Sequence, residues 1–493
     1  MTDPEIEQSG AAGAAKRAAG NTTVRAIGEL LGKIASLALL AILAREVGAS
    51  GLGIFVFALA WCELAVVPID MGFDRYLLRR IAADKSSLER LFPNTFAIKL
   101  IWSVPVVAVS WTLAILTVGD ATTRTTIYLL TAALLLESLG NTLTAVFNAF
   151  ERGGLVAGTL LTQRLLAAAL GVSVLAAGGG VAAVALTYAA SAAVRLVVAL
   201  WLLRTRIRWP GVALNAETRR DLRRASLPYA TQDLFSVGIA RADTIILSAL
   251  TTKAVVGLYG AAYRLLEATL FISSALAGAF AAMFTYLDES SDPPIRPVFQ
   301  RALKATLALL VPCGVVLGVL AEPVLRAFFG ADFVAGADAL RVLAAAVVML
   351  GVARIASSLV VSRGGATRLV PWFGGALAVN VALNLALVPP FDATGAAAAM
   401  LATQVLLAGA ALGLATRAIG RPSVLATIAA PGLAGAAMAG AMWPMRDALL
   451  PALPVGMVAY LAAFVIVERI VSPVDLRFMV DLARSRLPSR AAA

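Results

Sequence analysis

The chain has 493 residues, of which 60% are hydrophobic and only 14% charged, with a net charge of +12, two cysteines and no histidine; its mean hydropathy is +0.87. A soluble domain is about half apolar and a quarter charged, so this chain cannot cover a folded surface in water. Most of it must face lipid, in repeated apolar stretches of about 20 residues. Soluble enzyme, disordered scaffold and disulfide-rich secreted module are thereby excluded. Without histidine there is no His-based triad, His-ligated zinc or histidine proton relay. Cys62 and Cys313 lie in separate apolar runs, so neither a disulfide framework nor a CxxC metal site is expected, and no cofactor is called for.

In chain order, residues 1–22 are Ala/Gly-rich and open with Asp3, Glu5 and Glu7. They lack the basic start and short apolar core of a signal peptide, and read as a disordered cytoplasmic tail. About fourteen transmembrane helices follow, near 24–44, 51–72, 95–118, 125–149, 155–177, 181–203, 226–250, 257–286, 303–322, 338–362, 370–389, 395–416, 425–445 and 453–470. Residues 476–493 read as a second cytoplasmic tail.

Lysine and arginine orient these spans. The segment after span six carries Arg204, Arg206, Arg208, Arg219, Arg220, Arg223 and Arg224, and the loop after span two carries Arg75, Arg79, Arg80, Lys85 and Arg90. The loops on the other side hold only Arg45, Arg124, Lys253, Arg326 and Arg446. Both termini are therefore expected in the cytoplasm. The positive charge is accounted for by topology and by attraction to anionic lipid, not by nucleic acid. The outside loops are too short to hold the acceptor of a membrane glycosyltransferase or polymerase, and no Walker A pattern is present to drive the chain by nucleotide hydrolysis. An enzyme is not expected.

An internal repeat is legible. Gly53–Glu63 in span two aligns with Gly257–Glu267 in span eight at an offset of 204, and Arg152-Gly153-Gly154 after span four aligns with Arg363-Gly364-Gly365 after span ten at 211. Both link span n to span n+6, and an even shift preserves orientation, so the repeat is parallel. The expected organisation is an N-lobe over 23–210 (spans one to six), a C-lobe over 211–420 (spans seven to twelve) and two appended helices over 421–475. Paired lobes of this kind suit alternating access, which points to a transporter.

Several stretches carry a family resemblance. They are Leu30-Leu31-Gly32-Lys33 through Ala44-Arg45-Glu46-Val47-Gly48, Gly51-Leu52-Gly53, and Asp70-Met71-Gly72-Phe73 with Leu78-Arg79. Further along come Arg241-Ala242-Asp243-Thr244-Ile245-Ile246-Leu247, Val256-Gly257-Leu258-Tyr259, Ala261-Ala262-Tyr263-Arg264, and Asn380-Val381-Ala382-Leu383-Asn384-Leu385 with Pro389 and Gly395. Over roughly residues 24–416 the chain resembles the polysaccharide biosynthesis, or oligosaccharide (Wzx-type), flippases of the MOP superfamily, which also holds lipid II flippases and MATE drug exporters. The resemblance implies an all-α MOP/MATE-like fold in the bacterial inner membrane and transport of undecaprenyl-diphosphate-linked glycan for exopolysaccharide, capsule or O-antigen. A polysaccharide polymerase and glycosyltransferases are the implied partners. Flipping of lipid II, drug or cation antiport, and a non-transporting subunit of a glycan assembly complex remain as alternatives.

Charges inside the spans are costly and mark the candidate sites. A lipid diphosphate needs neutralising on its way across, and arginine's planar fork suits phosphate oxygens. Arg241, Arg264 and Arg354 are the leading substrate-binding candidates, followed by Lys33, Arg164 and Arg195. Lys99 and Arg341, near span ends, are expected to snorkel to the interface. Two pairs could neutralise themselves on their own helices, Glu29 with Lys33 and Arg264 with Glu267. Any proton coupling must rest on carboxylates, with Asp233 the leading candidate beside Glu267 and Glu63; Asp70 and Asp243 have a competing packing role. Asn380 and Asn384 are expected to bond between helices.

Overall fold

The computed structural model describes residues 4–211, 213–287 and 294–471, with side chains from residue 28 onward apart from Glu29, Ala282 and Val424. The expected carboxy-terminal tail lies outside the described residues. Among these residues the chain is helical, without strands. Eleven helices are long and apolar enough to cross a membrane. Two of them, α1 (Pro4–Asp70) and α12 (Ala366–Ile419), each hold two of the expected spans, broken at Gly48 (φ 67°) and Asp392 (φ 48°). One expected span, α7 (Ala216–Leu250), is too polar to be counted among the eleven, because of its charged opening turns and intramembrane charges. All fourteen sequence spans are therefore present as helix. Helix also begins earlier than expected, at Pro4 within the segment read as a tail, where alanine predominates.

The chain packs as two compact units, residues 1–260 and 261–493. In the first, α1 packs on α4 (Ala121–Ala149), α5 (Gly153–Ala176) and α7, and α4 packs on α6 (Val181–Arg206). The basic loop after span two is itself a helix, α2 (Phe73–Ala83). Phe73, Leu77 and Ile81, four residues apart, form its buried stripe, while Arg75, Arg79 and Arg80 occupy other faces. That stripe joins a core with Leu91, Phe92 and Ile98 of α3 (Leu88–Thr117) and Leu143, Val146 and Phe147 of α4. In the second unit, α11 (Ala337–Ser362) packs on α12 and on α9 (Ile295–Val319), and α13 (Val424–Met442) packs on α9 and α14 (Leu449–Val471).

The repeat has a structural signature. A Cβ on Gly53 would overlap the Lys253 carbonyl oxygen, and one on Gly257 would overlap the Ala49 carbonyl oxygen; a Cβ on Gly260 would lie 2.7 Å from a Val56 methyl. Residues 49, 53 and 56 thus face residues 253, 257 and 260, each at the offset of 204 found in the sequence. The second match needs correction. Both turns close with the same hydrogen bonds, Arg152 N to Phe147 O (2.9 Å) and Gly365 N to Val360 O (2.8 Å), after a left-handed residue, Glu151 or Gly364. The geometric offset is 213, so the two Arg-Gly-Gly triplets sit on equivalent turns but two residues out of register.

Candidate functional site: charges held inside the helices

The described intramembrane charges occur mostly as pairs and small networks. At one end of the first unit, Lys99 of α3 is completely buried and donates to Asp70 (2.9 Å), to Asp74 (3.0 Å) and to the Ser138 carbonyl (3.1 Å). Ser138 also bonds Asp70, and Thr142 bonds Asp74 at 2.8 Å. The expectation that Lys99 snorkels is therefore wrong. Side chains on a helix lean toward its amino terminus, and here that direction leads to the two aspartates rather than to solvent. Next to this network, Asp233 of α7 pairs with Arg75 of α2 at 2.5 Å, and Arg79 donates to the Tyr229 hydroxyl at 2.8 Å.

A second network joins α4, α5 and α6. Arg195 is fully buried; it donates to Gln163, Asn141 and Thr144, each at 2.9 Å, and lies 3.9 Å from Glu137. Glu137 also receives Arg164 at 3.4 Å. The Arg195 guanidinium packs beside Gly140 of α4, where even a Cβ would meet it only at an ordinary contact distance of 3.5 Å. The Arg164 stem rests on Gly32 of α1, one residue before the exposed Lys33. The proposed partner of Lys33, the Glu29 side chain, lies outside the described residues.

Higher in α7, Arg241 grips Glu63 of α1 with two nitrogens, Nε on one carboxylate oxygen and Nη2 on the other at 3.2 Å. Two residues further along, buried Asp243 accepts the Tyr259 hydroxyl of α8 (Lys253–Tyr286), and its other oxygen has no partner among the described residues.

In the second unit, Arg264 pairs with Glu267 at 2.6 Å on its own helix, as the spacing suggested. Arg354 of α11 donates to the Ser274 hydroxyl of α8 at 2.6 Å, and Ser362 donates to the Ala281 carbonyl at 3.2 Å, which sets these two helices parallel. Lys304 of α9 and Glu468 of α14 form a buried pair at 2.7 Å that sequence reading missed. Arg341, as expected, stays exposed, paired with Glu322 and Asp338. Asn380 bonds Thr403 across the two limbs of α12 at 3.1 Å, whereas Asn384 bonds Asn380 within its own helix. Of the three leading arginines, Arg241 thus belongs to the first unit, and Arg264 and Arg354 to the second.

Buried carboxylates and guanidinium groups so arranged can exchange partners with an anion or with a proton without leaving a charge bare in lipid. The described residues form a repeated, multi-pass helical membrane protein whose intramembrane charges are held mostly in such pairs. Residues 18–286 match the family described as "Polysaccharide biosynthesis protein", and the chain belongs to that family. No curated protein matches it. Its fold is shared with solved structures that include a transporter of the MOP superfamily. It superimposes on the lipid II flippase MurJ in an inward closed conformation with a TM-score of 0.73 at 12% identity, over 91% of this chain and 99% of that one. It matches an inward-facing multidrug resistance MATE transporter of the MOP superfamily with a TM-score of 0.65 at 14% identity, over 78% and 94%. The MATE multidrug transporter DinF-BH follows with 0.61 at 16% identity, over 82% and 95%. The fold is thus one shared with a lipid II flippase and with multidrug transporters.

Proposed function

We propose that this chain is a flippase that carries an undecaprenyl-diphosphate-linked oligosaccharide across the bacterial inner membrane by alternating access, with both termini cytoplasmic. The glycan would serve exopolysaccharide, capsule or O-antigen synthesis, alongside a polymerase and glycosyltransferases. The observation that carries this reading is the polysaccharide biosynthesis family match over residues 18–286, supported by guanidinium groups held inside the spans. In the proposed cycle the substrate diphosphate displaces Glu63 from the two-pronged grip of Arg241, because phosphate oxygens fit the same fork. Released Glu63 then gains a proton, which ties substrate entry to proton movement. Arg264 and Arg354 serve the anion later in the crossing. Lys33, Arg164 and Arg195 form an auxiliary basic set, Arg164 and Arg195 at Glu137, with Arg195 positioning its neighbours from its buried seat. Glu267 and Asp233 exchange protons as Arg264 and Arg75 are released or regained.

The test is reconstitution. Purified protein in liposomes should move a fluorescently labelled undecaprenyl-diphosphate-linked oligosaccharide from one leaflet to the other, read by protection from a membrane-impermeant quencher. Failure to move it, with efflux of a cationic dye instead, would replace this reading by drug antiport.

A further inference from the structure

At one end of the second unit, the carboxy end of α9, the start of α10 (Ala321–Phe329), Arg341 of α11 and the turn joining α13 to α14 enclose a pocket of about 560 Å³. That volume lies within the roughly 300–1,000 Å³ of small-ligand sites. Its lining combines Gly318, Glu322, Arg341, Trp443, Arg446 and Asp447. Trp443 is 59% exposed, and the Arg446 guanidinium lies 5.0 Å over its ring. Glu322 and Arg341 hold each other at 2.8 Å, which fixes both in place. Asp447 has no hydrogen bond or ion pair among the described residues, so its carboxylate is available as an acceptor.

We infer that this pocket binds the glycan portion of the transported lipid, as a carbohydrate subsite separate from the arginines that handle its diphosphate. The chemistry is that of sugar recognition. The exposed indole, covered by Arg446 on one face only, offers a flat surface to the C–H face of a sugar ring, while carboxylates and guanidinium groups beside it take and give hydrogen bonds to hydroxyls. Charge separates the two substrate parts: Glu322 and Asp447, with Asp338 also on Arg341, more than balance Arg341 and Arg446, so nothing favours a multiply charged diphosphate, whereas an uncharged, hydroxyl-rich ligand is well matched. By the distribution of basic residues this end is the one expected outside, where the sugar must be received as the lipid turns over. The inference rests on the flippase reading for the source of its ligand. An ordinary interfacial role for Trp443 and Arg446, anchoring the helix ends among lipid headgroups, is the competing account.

The experiment uses the full-length protein purified in detergent. The probe is the oligosaccharide released by mild acid from the lipid-linked pool of the cells that make this protein. Saturation-transfer NMR and calorimetric titration should detect binding. Affinity should fall at least tenfold in Trp443→Ala and in Asp447→Asn and persist in Trp443→Phe, with gel filtration confirming folded protein; Arg446→Gln replaces any variant that aggregates. Equal affinity in all variants, no binding to the wild type, or a response only to phosphatidylglycerol vesicles overturns the inference. Flipping is measured in parallel: protein that flips its substrate but does not bind the free glycan loses this subsite and keeps its function, and protein that binds glycan without flipping shows the reverse.

Discussion

The Tyr259 hydroxyl is bonded to the Asp243 carboxylate, and the two residues come from different motifs of the family resemblance, one in α7 and one in α8. Among the described residues this is the one side-chain hydrogen bond that this fully buried acid receives, and its Oδ1 has no partner there. Removing it leaves a buried acceptor unsatisfied, at a cost of about 1–3 kcal/mol and more if the group stays charged. Tyr259→Phe should therefore lower the melting temperature of the purified protein by several degrees. Asp243→Asn added to that background should recover part of the loss, since no buried charge remains. Thermal melts in detergent decide it, and a Tyr259→Phe protein as stable as the wild type rules the bond out as a support.

The reciprocal contact of Gly53 and Gly257 makes a graded prediction. Each Cα approaches the other helix's backbone so closely that an added methyl meets a carbonyl oxygen, which cannot rotate away. Gly53→Ala and Gly257→Ala should destabilise by similar amounts, upward of roughly 1–3 kcal/mol. Gly260→Ala should cost less, because the obstacle there is the Val56 side chain. Unequal effects at residues 53 and 257 would argue against a symmetric crossing.

Much of this architecture was legible because lipid imposes a simple rule on sequence: spans need long apolar runs, and the fourteen read from the chain are all helical. The Arg264–Glu267 pair was legible for a similar reason, since both groups lie one turn apart on a single helix. Glu63 and Arg241 are 178 residues apart, and no periodicity within either helix announces such a partner. Lys99 was misread because distance from a span end says nothing about which neighbour lies below it. The register of the repeat failed at the second match because turn geometry constrains the left-handed position, held by glycine at 364 but by glutamate at 151, and not the identities that follow it.

Lys99 holds two aspartates together, so its removal should be severe. Breaking one side of a buried ion pair costs about 3–5 kcal/mol, and here Asp70 and Asp74 would also repel one another. Lys99→Met should greatly reduce the yield of folded protein. Adding Asp70→Asn and Asp74→Asn should restore yield, because uncharged groups can still bond Ser138 and Thr142. Size-exclusion profiles of the single and triple variants test this; a triple variant no better than Lys99→Met would place the defect in packing volume.

One ion pair outside the spans should respond to pH. Asp120 caps α4 through the Thr123 amide (2.9 Å) and meets Lys253 at 2.8 Å. The Lys253 ammonium first, and the Thr123 bonds next, hold its carboxyl well below the usual carboxylate range. A depressed folded pKa gives stability that is fully present above the unfolded value of about 3.9 and is lost as pH falls through the folded one. Asp120→Asn keeps the cap and loses the ion pair, so its melting temperature should lie below the wild type at pH 7 and approach it as pH drops below about 3. Asp120→Ala should be lower than Asp120→Asn near neutral pH, by about 1 kcal/mol of lost capping. Parallel melting curves of wild type and Asp120→Asn across this range would remove the pair from the account.

The grip of Arg241 on Glu63 separates a structural from a transport role most sharply. Arg241→Ala leaves Glu63 unpaired inside the helices, so a loss of flipping in that variant alone could reflect misfolding. The double variant Arg241→Gln/Glu63→Gln removes both charges together, keeps hydrogen-bonding amides in place, and should melt near the wild-type temperature. If Arg241 receives the substrate diphosphate, this stable double variant should still flip labelled lipid-linked oligosaccharide at least tenfold more slowly in liposomes. Arg241→Lys should retain an intermediate rate, because a point charge replaces the fork. Glu63→Gln alone should bind substrate with little loss yet lose the acceleration that a pH gradient brings, since the exchange partner no longer takes a proton. A double variant that flips at the wild-type rate would make the pair a structural clamp between α1 and α7, and would move the search for the diphosphate contact to Arg264 and Arg354.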